Sequence, residues 1–322
     1  MRRKNIYYPF MAFLLCLMGC DKTDLTPAYI IIDEKALINN MDVLRFNESA
    51  DPQQNYDMNE LEALKSQRFP ALWVSIDNGG SKEDIRGVWE LPCKIPILAS
   101  GVITVRFTPA YYKNGMSKIL PGYKMVSTLE KTVTVERGGE IRFTKDDLLF
   151  TYNPKVFFPL LETFEQSTTF TRREEKIGAD ITIYNDGGRN VGLIELNKEC
   201  PNFDIITQNV PLTYRGENNT LLELEYKMEY SGTPLPQALE GLLGVEILYK
   251  DISGQIVLKT LANFHYHKEW TTVYVDLATA VDEGSYGGTL SDLKIGLAAV
   301  MPENAGFSSI KFFFDNIKIT TY

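Results

Sequence analysis

From Ala28 onward the apolar residues recur with the period of extended chain, and this feature confines the sequence to an all-β fold. Tyr29-Ile30-Ile31-Ile32-Asp33 is a β-branched run. Leu72-Trp73-Val74-Ser75-Ile76 alternates, and Asp77-Asn78-Gly79-Gly80 supplies the turn residues that end a strand. Val102 to Phe107, Leu129 to Val135 and Glu140 to Phe143 continue the pattern. Further strand-like runs are Val191 to Leu196, Leu221 to Met228, Val245 to Tyr249, Gln255 to Thr260, Trp270 to Leu277, Leu293 to Val300 and Ile310 to Ile319. Their spacing suits antiparallel β-sandwiches. Helical periodicity occurs once, in Met58-Asn59-Glu60-Leu61-Glu62-Ala63-Leu64-Lys65, and Phe69-Pro70 ends it. This short helix belongs to a loop and helix insertion near residues 47–68, where polar residues and Pro52 predict a mobile loop.

The strand pattern is preceded by a segment of another kind. Arg2, Arg3 and Lys4 lead into an apolar run from Ile6 to Leu17, which is shorter than the roughly 20 residues a membrane-spanning helix needs. Small Gly19 then precedes Cys20, which is the layout of a secretory signal. A plain signal peptidase favours small residues at both −1 and −3, whereas Leu17-Met18-Gly19-Cys20 resembles a bacterial lipobox. That resemblance implies a lipoprotein signal peptide over residues 1–19, acylation of Cys20 and a polar tether over residues 20–27. The expected location is then the cell envelope, with the protein anchored in the bilayer, at the outer membrane. The alternatives are an ordinary cleaved signal or a short anchor helix with an incidental cysteine. Two or three acyl chains, at about 0.8 kcal/mol per buried CH₂, hold such a chain stably.

Once that segment is removed, about 300 residues remain, enough for two domains of ordinary size. A net charge of −9 with no basic cluster excludes nucleic acid, whose phosphates require lysine and arginine. The same charge disfavours docking on an anionic membrane face. Cys93 and Cys200 fall in different expected domains and in no C-x-x-C motif, so they read as two buried free thiols rather than a disulfide. With only 2 histidines in the chain, most routes to histidine-based catalysis are closed.

The block from Trp73 to Phe143 has its own grammar. Val88-Trp89-Glu90-Leu91-Pro92-Cys93-Lys94-Ile95-Pro96 ends a strand, Leu98-Ala99-Ser100-Gly101 turns into Val102-Ile103-Thr104-Val105, and Pro121-Gly122-Tyr123 precedes Thr132-Val133-Thr134-Val135. This order resembles the PEGA-type domain, a small β-sandwich, with a longer stretch between Pro109 and Pro121 and an extra N-terminal strand. The resemblance implies a non-catalytic, wall-proximal or protein-contact module over residues 28–150. Thr151 to Leu160, with Pro154 and Pro159, reads as a linker over 151–160 that becomes the first strand of a second domain. In residues 161–322, the opening Phe164-Glu165, the Glu269-to-Leu277 region and the closing Phe314-Asp315-Asn316-Ile317-Lys318-Ile319 resemble galactose-binding-like jelly rolls, which include many carbohydrate-binding modules. Taken whole, the chain resembles two-domain surface lipoproteins of Bacteroidetes-type bacteria. The expected architecture is a small N-terminal β-sandwich followed by a C-terminal jelly-roll β-sandwich.

The sequence contains no G-x-S-x-G, G-x-G-x-x-G, P-loop or H-E-x-x-H motif. Gly187-Gly188 and Gly287-Gly288 read as turns. Glu223 and Glu225 alternate with Leu222, Leu224 and Tyr226, which places both acids on one solvated outer face and argues against a glycosidase pair. His265-Tyr266-His267 sets two imidazoles on one side of an extended segment, with Glu269 on the same face. The choice there lies between a divalent metal and a solvated strand edge. The jelly-roll resemblance implies a structural calcium between Glu165 and Asp315, helped by backbone carbonyls and by Glu162 or Asn185. Tyr184, Tyr214, Tyr230, Tyr266 and Tyr286 are candidate sugar-stacking residues, while Trp270, inside a strand, reads as core. These features point to non-catalytic glycan recognition at the cell surface. The alternative is a structural or accessory subunit that binds protein partners in an envelope complex.

Overall fold

Short apolar runs with no helical period must satisfy their backbone groups in one another's ladders. The computed structural model shows those ladders for residues 26–49, 56–80, 84–173, 177–213, 219–251, 253–277, 289–303 and 306–322, the residues described below. The N-terminal half comprises β1 (Ala28–Ile32), β2 (Leu37–Ile38), α1 (Val43–Ser49), α2 (Met58–Leu64), β3 (Arg68–Phe69), β4 (Ala71–Asp77), β5 (Asp84–Glu90), β6 (Cys93–Ile97), β7 (Gly101–Ala110), β8 (Leu129–Val135) and β9 (Glu140–Arg142). Among the described residues, a sheet of order β6-β1-β9 and a sheet of order β5-β4-β7-β8 share one apolar core, which joins Ile30 and Ile95 to Val74, Val105 and Phe107.

Helix α2 covers the expected helical pattern. A capping box fixes its start: Glu60 N–H donates to Asp57 Oδ1 at 2.9 Å, and Asp57 N–H donates to Glu60 Oε2 at 2.8 Å. Its apolar side buries Leu61, Ala63 and Leu64. Helix α1 was not expected, and Pro52, on which the mobile-loop reading rested, lies outside the described residues.

The C-terminal half comprises β10 (Phe157–Glu162), β11 (Thr171–Arg172), β12 (Thr182–Asp186), β13 (Arg189–Asn197), β14 (Asn202–Ile206), β15 (Val210–Thr213), β16 (Thr220–Gly232), β17 (Leu243–Lys250), β18 (Ile256–Phe264), β19 (Thr271–Asp276), β20 (Thr289–Val300) and β21 (Phe307–Thr321). One sheet runs β12-β13-β21-β16-β19, with β10 also on β21. The other runs β11-β14-β20-β17-β18, with β15 also on β20. Their inner faces meet over Phe203, Leu224, Tyr226, Ile247, Leu297, Phe312 and Phe314, all buried. Residues 157–160, at the end of the expected linker, already pair with β21.

The last strand, β21, organises the first of these sheets. Strand β16 runs along one side of it, while β13 and β10 share the other. The β16–β21 register passes from Glu225↔Asp315 to Glu223↔Lys318, so β21 holds one residue more than its partner over that interval. This is a β-bulge. Asn316 lies within it at φ 48°, a left-handed conformation that asparagine tolerates better than most residues. The extra residue switches which side chains face outward, from Lys311, Phe313 and Asp315 before the bulge to Lys318 and Thr320 after it.

Cys93 and Cys200 both carry free thiols, but neither is buried as expected. Cys93 stands on the edge strand β6 and Cys200 in the β13–β14 turn, so each is half-buried. Partial burial still pushes the Cys93 thiol up to about 11.

Candidate functional site

The outer face of the β12-β13-β21-β16-β19 sheet has two contrasting parts. On the side of β16 toward Thr220, the N-terminal half covers it. Glu223 and Lys318, both 0% exposed, approach to 3.4 Å across β16 and β21. Lys318 Nζ also donates to Ala63 O and Ser66 Oγ, each at 3.0 Å. Glu223 accepts from Thr320 Oγ1 at 2.8 Å, from Gln67 Nε2 at 3.2 Å and from the Tyr123 hydroxyl. Tyr274 of β19 inserts among Phe69, Tyr111 and Tyr123, with ring centroids 4.8 to 6.2 Å apart. Burial and the Glu223 charge hold the Tyr123 and Tyr274 hydroxyls well above their usual range. Glu223 is therefore not on a solvated face as expected. The alternation points it out of its own sandwich and into the other half.

Beyond the bulge the same face is open. Arg189, which follows the Gly187-Gly188 turn, pairs with both Glu225 and Asp315. Burial opposes the Arg189 charge, but those two carboxylates raise its pKa above the ordinary value. Asn316 Nδ2 donates to Glu225 Oε2 at 2.7 Å. The Arg189 guanidinium lies over the Trp270 ring at 4.5 Å, and Lys227 Nζ lies 5.5 Å from that ring and 4.5 Å from the Phe313 ring. Lys227 is held by Asp186 at 2.8 Å and Glu229 at 3.4 Å. Tyr184, 46% exposed on the edge strand β12, meets Phe313 edge-on at 6.1 Å. Trp270 is half-buried and outside the core, contrary to expectation. Its parity along the chain matches Thr272 and Tyr274, which places it on the outer face.

At the border of the two parts, a pocket of about 340 Å³ opens between the halves. Asn39, Asn59, Glu62 and Ser66 line it from one side, and Glu165, Arg189, Glu225, Asp315 and Asn316 from the other. The Asp315 carboxyl is pushed up to about 7, chiefly by burial, with Arg189 opposing and Glu225 adding to the rise. A raised carboxyl beside a second carboxylate suits general acid catalysis, but here the Arg189 guanidinium occupies both.

The structure brings Glu165 and Asp315 to this one pocket, and Asp315 turns to Arg189. Glu165 Oε2 accepts from Asn190 Nδ2 at 3.3 Å. Glu162 is buried and accepts from Phe164 N–H at 3.0 Å, Thr169 N–H at 2.6 Å and Thr169 Oγ1 at 2.9 Å, tying down the loop after β10. Asn185 caps the β12–β13 turn, its Oδ1 accepting from Gly188 N–H at 3.0 Å. Among the described residues no group of three or more His, Cys, Asp or Glu is placed to hold a metal.

Of the candidate tyrosines among the described residues, only Tyr184 joins the open face. Tyr230 and Tyr266 pack on each other at 4.9 Å, with Phe307 stacked on Tyr230 at 6.1 Å, against the sandwich core. Tyr214 and Tyr286 lie outside the described residues, as do Gly287 and Cys20. His265 and His267 fall in the β18–β19 connection rather than on a strand edge, and both line a second pocket. Arg189, Lys227 and Asn316 were missed by sequence reasoning. The broken alternation of Phe312-Phe313-Phe314-Asp315-Asn316-Ile317 was the available signal.

No protein-family model and no curated protein matches the sequence. Among solved structures, the chain is similar to the CBM22-1–GH10 modules of a Clostridium thermocellum endo-1,4-β-D-xylanase complexed with xylohexaose. The identity is 12% and the TM-score 0.36, over 51% of this chain and 28% of that one. It is also similar to a CBM22-1 xylan-binding domain from Paenibacillus barcinonensis, at 14% identity and TM-score 0.32, over 51% of this chain and 93% of that one. A CBM28 module specific for non-crystalline cellulose matches at 18% identity and TM-score 0.35, over 49% of this chain and 91% of that one.

Proposed function

We propose that this chain is an acylated envelope protein that recognises polysaccharide without cleaving it, using the open part of the β12-β13-β21-β16-β19 face. The observation that carries this reading is the placement of exposed Tyr184 and half-buried Trp270 about the buried Phe313 ring, beside the held cations Lys227 and Arg189 and next to the polar pocket. Aromatic faces take up the apolar faces of sugar rings, while fixed amides, carboxylates and guanidinium groups exchange hydrogen bonds with hydroxyls. The N-terminal sandwich serves as a PEGA-like spacer that also walls the pocket through Asn39, Asn59, Glu62 and Ser66.

Affinity electrophoresis of the full chain against soluble xylan, cellulose derivatives and mannan tests the site. Trp270→Ala and Tyr184→Ala should each weaken binding to the retarding polysaccharide about tenfold, roughly 1.4 kcal/mol. Retardation unchanged in both variants, or absent in the wild type, overturns the reading. Anchoring is tested separately: Cys20→Ala should abolish acyl labelling, and persistent labelling would remove that part of the proposal.

A second reading, docking of a protein partner, is favoured by one feature. Ile256 and Leu258, 69% and 49% exposed, stand on the edge strand β18.

A further inference from the structure

The second pocket, of about 330 Å³, lies where the Tyr112–Met116 loop of the N-terminal half closes over β19 and the β18–β19 connection. The loop is fixed there by Asn114, whose N–H donates to Tyr274 O at 2.9 Å and whose Oδ1 accepts from Asp276 N–H at 2.8 Å. Gly115 makes the close approach possible. Its φ is +73°, and a Cβ there would lie 3.1 Å from the Phe264 ring.

The lining chemistry is unlike that of the polar pocket. That pocket presents Glu62, Glu165, Glu225 and Asp315, whereas among the described residues no carboxylate lines this one, in a chain of net charge −9. Both histidines of the chain line it instead. His265 Nδ1 accepts from Gly241 N–H at 3.0 Å, so the neutral ring carries its proton on Nε2 as a donor. His267 packs edge-on to Tyr226 at 5.7 Å. Its pKa is lowered by burial and by the charges of His265 and Arg68, and all three basic side chains line one space. Arg68 also lines the pocket, and among the described residues its guanidinium has no carboxylate partner. Arg173 and Arg189 each have two. Tyr112, Met116 and Phe264 supply apolar walls, and Asn114 and Asn263 supply amides. The volume is at the lower end of the roughly 300 to 1,000 Å³ usual for small-ligand sites.

We propose that this pocket binds a monosaccharide-sized ring bearing a carboxylate, with the carboxylate on Arg68 and the two imidazoles and the ring between Tyr112 and Phe264. Arginine suits this task because its planar fork matches a carboxylate. The site is separate from the polysaccharide face and stands without it.

The test is titration calorimetry of the full chain with glucuronate, glucose and inorganic phosphate. Glucuronate should bind at least tenfold more tightly than either of the others. Arg68→Gln should weaken it at least tenfold with an unchanged melting temperature, because only the backbone of Arg68 bonds to Tyr274. Trp270→Ala should leave it unaltered, which separates this site from the polysaccharide face. The proposal is overturned by equal affinity for glucose, by phosphate binding as tightly as glucuronate, by absence of glucuronate binding, or by an Arg68→Gln variant that binds like the wild type.

Discussion

Glu223 and Glu225 sit two residues apart on one strand, face the same way and share the partner strand β21, yet one is sealed and the other lines an open pocket. The same split is seen along β19 and the residue before it, where Tyr274 is packed among aromatic rings of the other half while Trp270 lies under Arg189 at the surface. Alternation decides which face a side chain joins, but it does not say what covers that face. On the covered part, charges survive only because they are paired and hydrogen-bonded, as Lys318 and Glu223 are. On the open part, charges are grouped around aromatic rings, and Arg189 and Glu225 line the pocket.

The comparison can be broken most severely by removing the cover. Residues 157–322 expressed alone would expose Leu221, Tyr274, Glu223 and Lys318, all buried in the whole chain. Their melting temperature by circular dichroism should fall about 10 °C or more, given roughly 2–4 °C per kcal/mol for a domain of that size. An unchanged value would show that the cover adds no stability. Glu223→Ala should cost about 3–5 kcal/mol in denaturant unfolding, since it strands Lys318 in the interior. Glu225→Ala should cost about 1 kcal/mol or less. The double change Glu223→Leu with Lys318→Met should recover most of the loss, and equal costs at 223 and 225 would erase the distinction between the two parts. Trp270→Ala should leave unfolding within about 1 kcal/mol of the wild type, because the ring is half-buried and outside the core.

The last effect is on pH dependence and is confined to one carboxyl. The Asp315 carboxyl rises from its ordinary 3.8 to about 7, so between those values the native state holds a proton that the unfolded chain has released. Its contribution to stability is therefore full below about pH 4 and is lost as the pH rises through 7. Asp315→Asn should flatten the melting temperature over that window, and a profile that keeps the wild-type slope would assign the effect elsewhere.

Many of the longer strands were legible because β-branched alternation and glycine turns are local signals, whereas β14 and β15 were not marked. Leu129–Val135 matches its expected limits, and α2 was marked by its own leucines. Strand β12 was missed because all but its last residue are exposed and carry no burial pattern. The environment of Glu223 was not legible, since its partners Gln67 and Tyr123 lie 156 and 100 residues away. Glu165 and Asp315, expected to share a calcium, both line one pocket, but the arginine that joins Asp315 comes from the start of β13, 126 residues earlier in the chain.

Strand β21 follows all the other described strands in sequence and lies at the centre of its sheet. On a chain emerging N-terminus first, β10, β13 and β16 must wait for a partner they cannot replace with one another. The N-terminal half must wait as well, because the ammonium that answers Glu223 and bonds Ala63 and Ser66 arrives on that same strand. Such late, long-range pairing slows folding. It also means that one late event closes the C-terminal sheet and the seam with the N-terminal half together.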